Sequence, residues 1–377
     1  MKTPHDIANA RLHRQGLVKP AHATAADVVR ALCAVQAQDF DGAKWAIAQR
    51  MRGSPGDKEI EHEFAEGRLI RTHVLRPTWH FVAPEDLRWM LALTGPRVSA
   101  SMGFFNRYND LTPELFARCQ GVIVKALEGG KHLTRSELAQ AIARSPIGQL
   151  TGTRLAGAMM QAEVDAIVCS GPRRGKQFTY ALVDEWVPKT PPRDRDDALA
   201  ELTRRYFEVR GPATVKDFAW WSGLTMADAK RGIEICGREL ERVTVVDQSY
   251  WHSGSGAARR TALPRAHLLP NYDEYFIGFK DRSATAQRLG QASLVTGGNA
   301  LIAHVVFING QLVGGWKRAF VKDHVVVTLR LLARLTAAER QLVNKAAQRF
   351  GKFLGLPVKL VNARPSRGAA TRQMKYD

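Results

Sequence analysis

One pattern recurs along this chain and limits its fold more than any single residue does: a few short helices, then two strand-like runs joined by a turn. Residues 24–48 carry Val28, Val29, Leu32, Val35, Trp45 and Ile47 at helical spacing and read as two helices split at Asp39. Residues 60–66 give a short helix ended by Gly67. Two strand-like runs, 69–75 and 78–82, then meet at Arg76-Pro77, and Pro84-Glu85-Asp86 starts an exit helix. The order returns with a helix from Thr112-Pro113-Glu114 to about Glu128, a capping box at Thr134-Arg135-Ser136-Glu137 and a candidate recognition helix over 151–163. Strands at 166–170 and 178–182 flank the basic turn Gly171-Pro172-Arg173-Arg174-Gly175-Lys176. After the Pro191-Pro192 linker come helices at 196–209, 214–222 and 225–236, with a less regular strand pair near 241–246. Helices followed by a hairpin are the winged-helix order.

From Leu263 the pattern turns to β, with branched-chain runs at 303–309, 311–321 and 324–331. Asn309-Gly310 marks a two-residue hairpin between the first two. A helix over 336–354 and a strand at 358–361 complete this part. The expected organisation is α+β: winged-helix modules over 1–110, 111–190 and 191–262, a β-rich domain over 263–362, and a basic disordered tail over 363–377. Residues 283–299 are rich in Ser, Thr, Gly and Gln and are expected to be mobile.

The 377 residues hold 55 Lys+Arg against 36 Asp+Glu, a net charge of +19 and a pI near 10.1. Arg-rich coding bias alone rarely produces such an excess, so a polyanion partner is expected. Cys33, Cys119, Cys169 and Cys236 are scattered without a Cys-x-x-Cys pair, which argues against a zinc site and a disulfide framework. No apolar run reaches the roughly 20 residues that span a bilayer, so a cytoplasmic, reduced protein is expected.

Gln36-Ala37-Gln38 closes the first helical pattern. A helix turns by about 100° per residue, so two amides two positions apart converge only where the helix stops. Asp39-Phe40-Asp41-Gly42 supplies the capping and turn residues for such a break.

This motif, with Arg76-Pro77-Thr78-Trp79-His80-Phe81, resembles the AlkZ/YcaQ-type bacterial DNA glycosylases. Two further blocks carry the same resemblance: Gly211-Pro212-Ala213-Thr214 through Asp217-Phe218-Ala219-Trp220-Trp221-Ser222-Gly223-Leu224, and Leu268-Leu269-Pro270-Asn271-Tyr272-Asp273-Glu274-Tyr275 through Gly278-Phe279-Lys280-Asp281-Arg282. A Gln at the second polar position is similar to the AlkZ-like branch; the YcaQ-like branch carries Asp there. The resemblance implies three winged-helix modules stacked on a barrel-like β-rich domain, forming a concave channel for duplex DNA. It implies excision of N7-alkylguanine, crosslinked guanine included, by a monomeric, monofunctional enzyme without metal or cofactor. Water rather than an amine is then the nucleophile, and Gln36 and Gln38 are the catalytic residues.

The chemistry suits two amides. Alkylation at N7 makes guanine cationic, which weakens the glycosidic bond and removes the need for a strong general acid. What remains is to stabilise an oxocarbenium-like sugar and hold a water at C1′. Amide oxygens do both without titrating. Taken alone, a Gln-Ala-Gln triplet is more often a polar helix terminus. Asp39 fits a helix N-cap better than a base. His73, Thr78 and His80 are possible auxiliary groups, with Thr78 and His80 on one strand face and Trp79 and Phe81 on the other. Trp220 and Trp221 diverge on a helix, so at most one is free to stack on a base, and core packing is favoured for the pair. Asp273 and Glu274 read as solvated turn charges. Arg173, Arg174 and Lys176, with Arg76, Lys280 and Arg282, are the expected DNA contacts. Two other readings stand: a non-catalytic winged-helix DNA-binding protein or regulator, and a family member acting on another lesion. Tandem modules in one chain count against a simple dimeric regulator.

Overall fold

The structure, a computed structural model, describes residues 1–254, 264–289 and 304–363. Capping sets most helix starts. Thr3 caps α1 (Pro4–Arg14) and Thr24 caps α2 (Ala25–Leu32), each in a reciprocal box with an Asp three residues on. The first unit continues through β1 (Ala34–Gln36), α3 (Phe40–Ala48), α4 (Asp57–Ala65), β2 (Ile70–His73) and β3 (Trp79–Val82). Its sheet has the order β1-β3-β2, antiparallel throughout, with His80 opposite both Gln36 and Thr72. Helices α5 (Leu87–Ser101) and α6 (Gly103–Tyr108) lead out of it.

The second unit holds α7 (Pro113–Leu127), β4 (Leu133–Thr134), α8 (Arg135–Ala143), α9 (Gly152–Val164), β5 (Val168–Arg174), β6 (Gln177–Leu182) and α10 (Val183–Trp186), with sheet order β4-β6-β5. Thr134 and Glu137 form the expected capping box. The third unit holds α11 (Arg195–Arg210), α12 (Val215–Ser222), α13 (Met226–Cys236) and the β7 (Leu240–Val245)–β8 (Gln248–Ser253) pair. Last come β9 (Ala266–Leu269), α14 (Glu274–Ile277), β10 (His304–Ile308), β11 (Gln311–Val321), β12 (His324–Leu331), α15 (Ala337–Leu354) and β13 (Val358–Asn362). Asn309 and Gly310 both take positive φ, 48° and 77°, as a tight hairpin turn between β10 and β11 requires.

The molecule is thus a mixed α+β fold. One apolar core joins the first unit to the last sheet, where Trp45 packs on Phe350 and Phe353. A second joins α5 and the back of the first unit to α11, α12 and α13. A third lies within the second unit.

Four local expectations change. Residues 24–48 form the two expected helices with Asp39 capping the second, but the first stops early: α2 ends at Leu32, Cys33 turns the chain at φ 66°, and Ala34–Gln36 pairs with β3. Three residues are too few to show a period, and the unpaired edge of β3 decides. Arg173 and Arg174 sit in β5, so the second-unit turn is Gly175-Lys176 alone, with Gly175 at φ 58°. Among residues 283–299, Ala284, Thr285 and Ala286 are buried, and Arg288 pairs with Glu339 at 2.6 Å. Residues 290–299, like the tail from 364 to 377, lie outside the described residues. The final sheet, β13-β12-β11-β10-β9, is open among the described residues, with β9 and β13 as its edges.

Candidate active site

Three backbone groups of the glutamine motif are held by partners far away in sequence. The Gln36 N–H donates to Glu274 Oε1 at 2.9 Å. The Ala37 N–H donates to the Trp79 carbonyl at 2.7 Å, and the Ala37 carbonyl accepts from Arg71 Nε at 3.1 Å. β1 ends at Gln36, and Gln38 lies in the bend that leads to α3, so the motif sits at the end of a strand and not at the end of a helix.

Glu274 and Asp273 are buried, contrary to the expectation of solvated turn charges. Glu274 Oε2 accepts from Arg210 Nη2 at 2.7 Å and from the Trp221 indole at 2.9 Å. Arg210 also donates to the carbonyls of Leu32 and Ala34. This pair therefore grips the strand on both sides of the α2–β1 bend. Asp273 accepts two bonds of 2.9 Å from Arg50. A charge taken so far from water persists only when paired and fully hydrogen-bonded.

Gln36 exposes 5% of its surface, and its Oε1 accepts from Arg76 Nη2 at 2.9 Å. The Arg76 guanidinium lies 5.3 Å from the ring centre of Trp220, and burial lowers its pKa. Two features aim it. Leu75, just before it, is held at φ 66°, and Gly223 closes α12 so tightly that a Cβ there would stand 2.0 Å from the Leu75 carbonyl oxygen. Gln38 is exposed, and its Oε1 accepts a long 3.4 Å bond from the Trp79 N–H. Trp220 is 37% exposed while Trp221 is fully buried, the divergence expected of neighbours on a helix.

Asp39 caps α3, accepting from the Gly42 N–H at 3.0 Å, and also faces Arg318 at 3.4 Å. His80 is fully buried. Its Nδ1 meets the Thr78 carbonyl at 2.9 Å, which fixes the proton there and leaves Nε2 as an acceptor with no partner among the described residues. Burial and then Arg76 hold its pKa well below 6.5, so it is neutral near pH 7. The Thr78 hydroxyl is likewise enclosed without a partner among the described residues. His73 points elsewhere: its Nδ1 lies 2.7 Å from Glu163, a buried carboxylate on α9 that also accepts the His73 N–H at 2.8 Å. No sequence signal singled out Glu163, because its partners lie in another unit.

Of the expected DNA contacts, Arg174, Lys176 and Lys280 are exposed, although Arg174 pairs with Glu137 at 2.8 Å. Arg76 is committed to Gln36. Arg173 pairs with Glu61 at 3.3 Å and lies over Phe40 and Phe178, while Arg282 donates to the Phe276 carbonyl at 2.9 Å. The β11–β12 hairpin was missed as a candidate surface: Phe320 is 60% and Val321 45% exposed between Lys317 and Lys322. Arg318 ties its stem to Asp39, beside the glutamines. Among the described residues no three His, Cys, Asp or Glu side chains group as a metal ion requires, and no helix is long and apolar enough to cross a membrane.

Known proteins resemble this chain in sequence and fold. The chain is 26% identical over 333 residues to an interstrand DNA cross-link repair glycosylase of Streptomyces sahachiroi, a match covering 84% of this chain and 88% of that protein. Its fold superposes on that of the Streptomyces sahachiroi DNA glycosylase AlkZ with a TM-score of 0.77 at 24% identity, covering 96% of this chain and all of the other. The model of the family described as DNA glycosylase AlkZ-like matches residues 29–353, nearly the whole described structure, and the chain belongs to that family.

Proposed function

We propose that this protein is a monofunctional DNA glycosylase that hydrolyses the N-glycosidic bond of N7-alkylguanine in duplex DNA. The observation that carries this reading is the double grip on Gln36, from Glu274 at its backbone and Arg76 at its amide, with the exposed Gln38 beside it. A buried ion pair that holds the backbone of Gln36 and a buried guanidinium that holds its amide are poorly explained by packing alone. The relative named for interstrand cross-link repair extends the reading to the unhooking of crosslinked guanines. Three helix-and-sheet units, read as winged-helix modules, and the last sheet would then line a channel for the duplex, with the protein acting as a monomer. The exposed Phe320 tip, flanked by Lys317 and Lys322, suits a groove wedge.

In the reaction the N9–C1′ bond breaks and its electron pair moves onto the purine, neutralising the charge that alkylation placed there. A water oxygen bonds C1′, and one of its protons passes to solvent. Amides near the sugar stabilise the cation between these events. Single-turnover release of N7-methylguanine from alkylated duplex tests the reading, with binding measured separately. Gln36→Ala and Gln38→Ala are each expected to lose about 100- to 1000-fold in rate while still binding DNA. A wild-type protein that binds alkylated duplex but releases no base would overturn it in favour of a non-catalytic DNA-binding protein.

A further inference from the structure

The two glutamines are not held alike. A guanidinium has only donors, so the atom that Gln36 turns toward Arg76 must be its oxygen. Its Nε2 has no protein partner among the described residues and is not enclosed, so the amino group keeps contact with solvent within a residue exposed by only 5%. Arg76 is not free to let go easily. It is pressed against Trp220, its Nε is enclosed without a partner, and the strained Leu75 and the abutting Gly223 fix its backbone. Gln38, by contrast, is exposed, and its oxygen is tied only by the 3.4 Å bond from Trp79, longer than a normal N–H···O bond.

We propose that Arg76 is the positioning residue of the site and divides the work of the two amides: Gln36 meets the nucleotide as an N–H donor, and Gln38 supplies the oxygen that faces the sugar. This rests on the glycosylase reading. Gln36 then donates to a sugar or phosphate oxygen beside the lesion and holds C1′ in register. The Gln38 oxygen stabilises the sugar cation and accepts one O–H of the water. That leaves a water lone pair directed at C1′, and the accepted proton passes to solvent once the C–O bond has formed. Had both amides presented their amino groups, the water would be held through its lone pairs and could not attack.

The test is a pair of isosteric changes. Gln36→Glu keeps an acceptor for Arg76 but has no N–H; Gln38→Glu keeps an oxygen for the sugar. Gln36→Glu is expected to lose about 100-fold or more in single-turnover base release at saturating protein. Gln38→Glu is expected to stay within about tenfold of wild type, a smaller loss than removal of an oriented stabiliser brings. Arg76→Met should lower the rate by about tenfold, less than loss of either amide, with DNA affinity and its salt dependence unchanged. Arg76→Lys should recover part of the rate, since an ammonium can still donate to Gln36. Melting curves show whether each variant is folded. A Gln36→Glu enzyme near wild-type rate overturns the proposal. So does an Arg76→Met enzyme with normal rate but a salt slope flatter by about one phosphate contact. A readout without catalysis separates this from failure of the glycosylase reading: side-chain NMR of the protein on duplex DNA should keep the Arg76 guanidinium coupled to Gln36. Loss of that contact on binding overturns the proposal whether or not base is released.

Discussion

At the scale of single residues, the site contains polar groups that do not change charge near neutrality. Gln36 and Gln38 do not titrate, and His80 is neutral because burial and Arg76 disfavour its imidazolium. Base release is therefore expected to be flat between about pH 6 and 8, an interval in which an ordinary histidine would titrate. A single-turnover pH profile with a limb inside that interval would instead reveal a titrating base. Asp39 lies next to the motif but works for the backbone, capping α3 through the Gly42 N–H. Asp39→Asn should keep both fold and rate, while Asp39→Ala should cost about 1 kcal/mol in urea denaturation, the usual effect of losing a cap.

At the scale of elements, the site is an edge strand held by distant helices. β1 is only three residues long, too short to persist by its own ladder. Its position comes from β3 on one side and the Arg210–Glu274 pair, carried by α11 and α14, on the other. Glu274→Ala would leave Arg210 buried and unpaired, and a loss of about 3–5 kcal/mol is expected. The contact between α12 and the β2–β3 turn is as tight. Gly223 has φ +71°, and a Cβ would meet the Leu75 carbonyl. Gly223→Ala is expected to cost more than about 1 kcal/mol. It should also slow base release, because the turn that carries Arg76 must shift. Thermal melting and single-turnover kinetics on the same preparation separate the two effects.

At the scale of the whole molecule, charge and burial set two bulk behaviours. Arg174, Lys176 and Lys280 are exposed and remain the proposed phosphate contacts, whereas Arg173 is held by Glu61. Lys176→Ala and Lys280→Ala are each expected to flatten the log K against log salt slope by about 0.9, and Arg173→Ala to change it little. Acid should also weaken the fold. Burial pushes His267 down to about 3 and His304 to about 4, from an ordinary 6.5. Below pH 6.5 the unfolded chain binds protons that these folded side chains refuse, so stability falls with pH until each folded value is reached. By pH 5 each contributes a loss of about 2 kcal/mol. A melting temperature unchanged between pH 7 and pH 5 would contradict this.

What the sequence determined by itself is local and periodic. The helices after Thr112 and Thr336, the capping box at Thr134, and the Asn309-Gly310 hairpin all rest on contacts within a few residues, and each lies where its pattern put it. The α+β character was legible for the same reason. Tertiary structure decided everything that depends on a partner far along the chain. The edge of β3 turned Ala34–Gln36 from helix end into strand. Burial against Arg50 and Arg210 made Asp273 and Glu274 structural ion pairs rather than turn charges. The Gln36 amide, next in space to a residue forty positions away, recruited Arg76 from the expected DNA contacts. Glu163 reached His73 from another unit across 90 residues. A charged side chain is equally at home in water or in a buried pair, and its own neighbours in sequence carry no information about which partner the fold will bring.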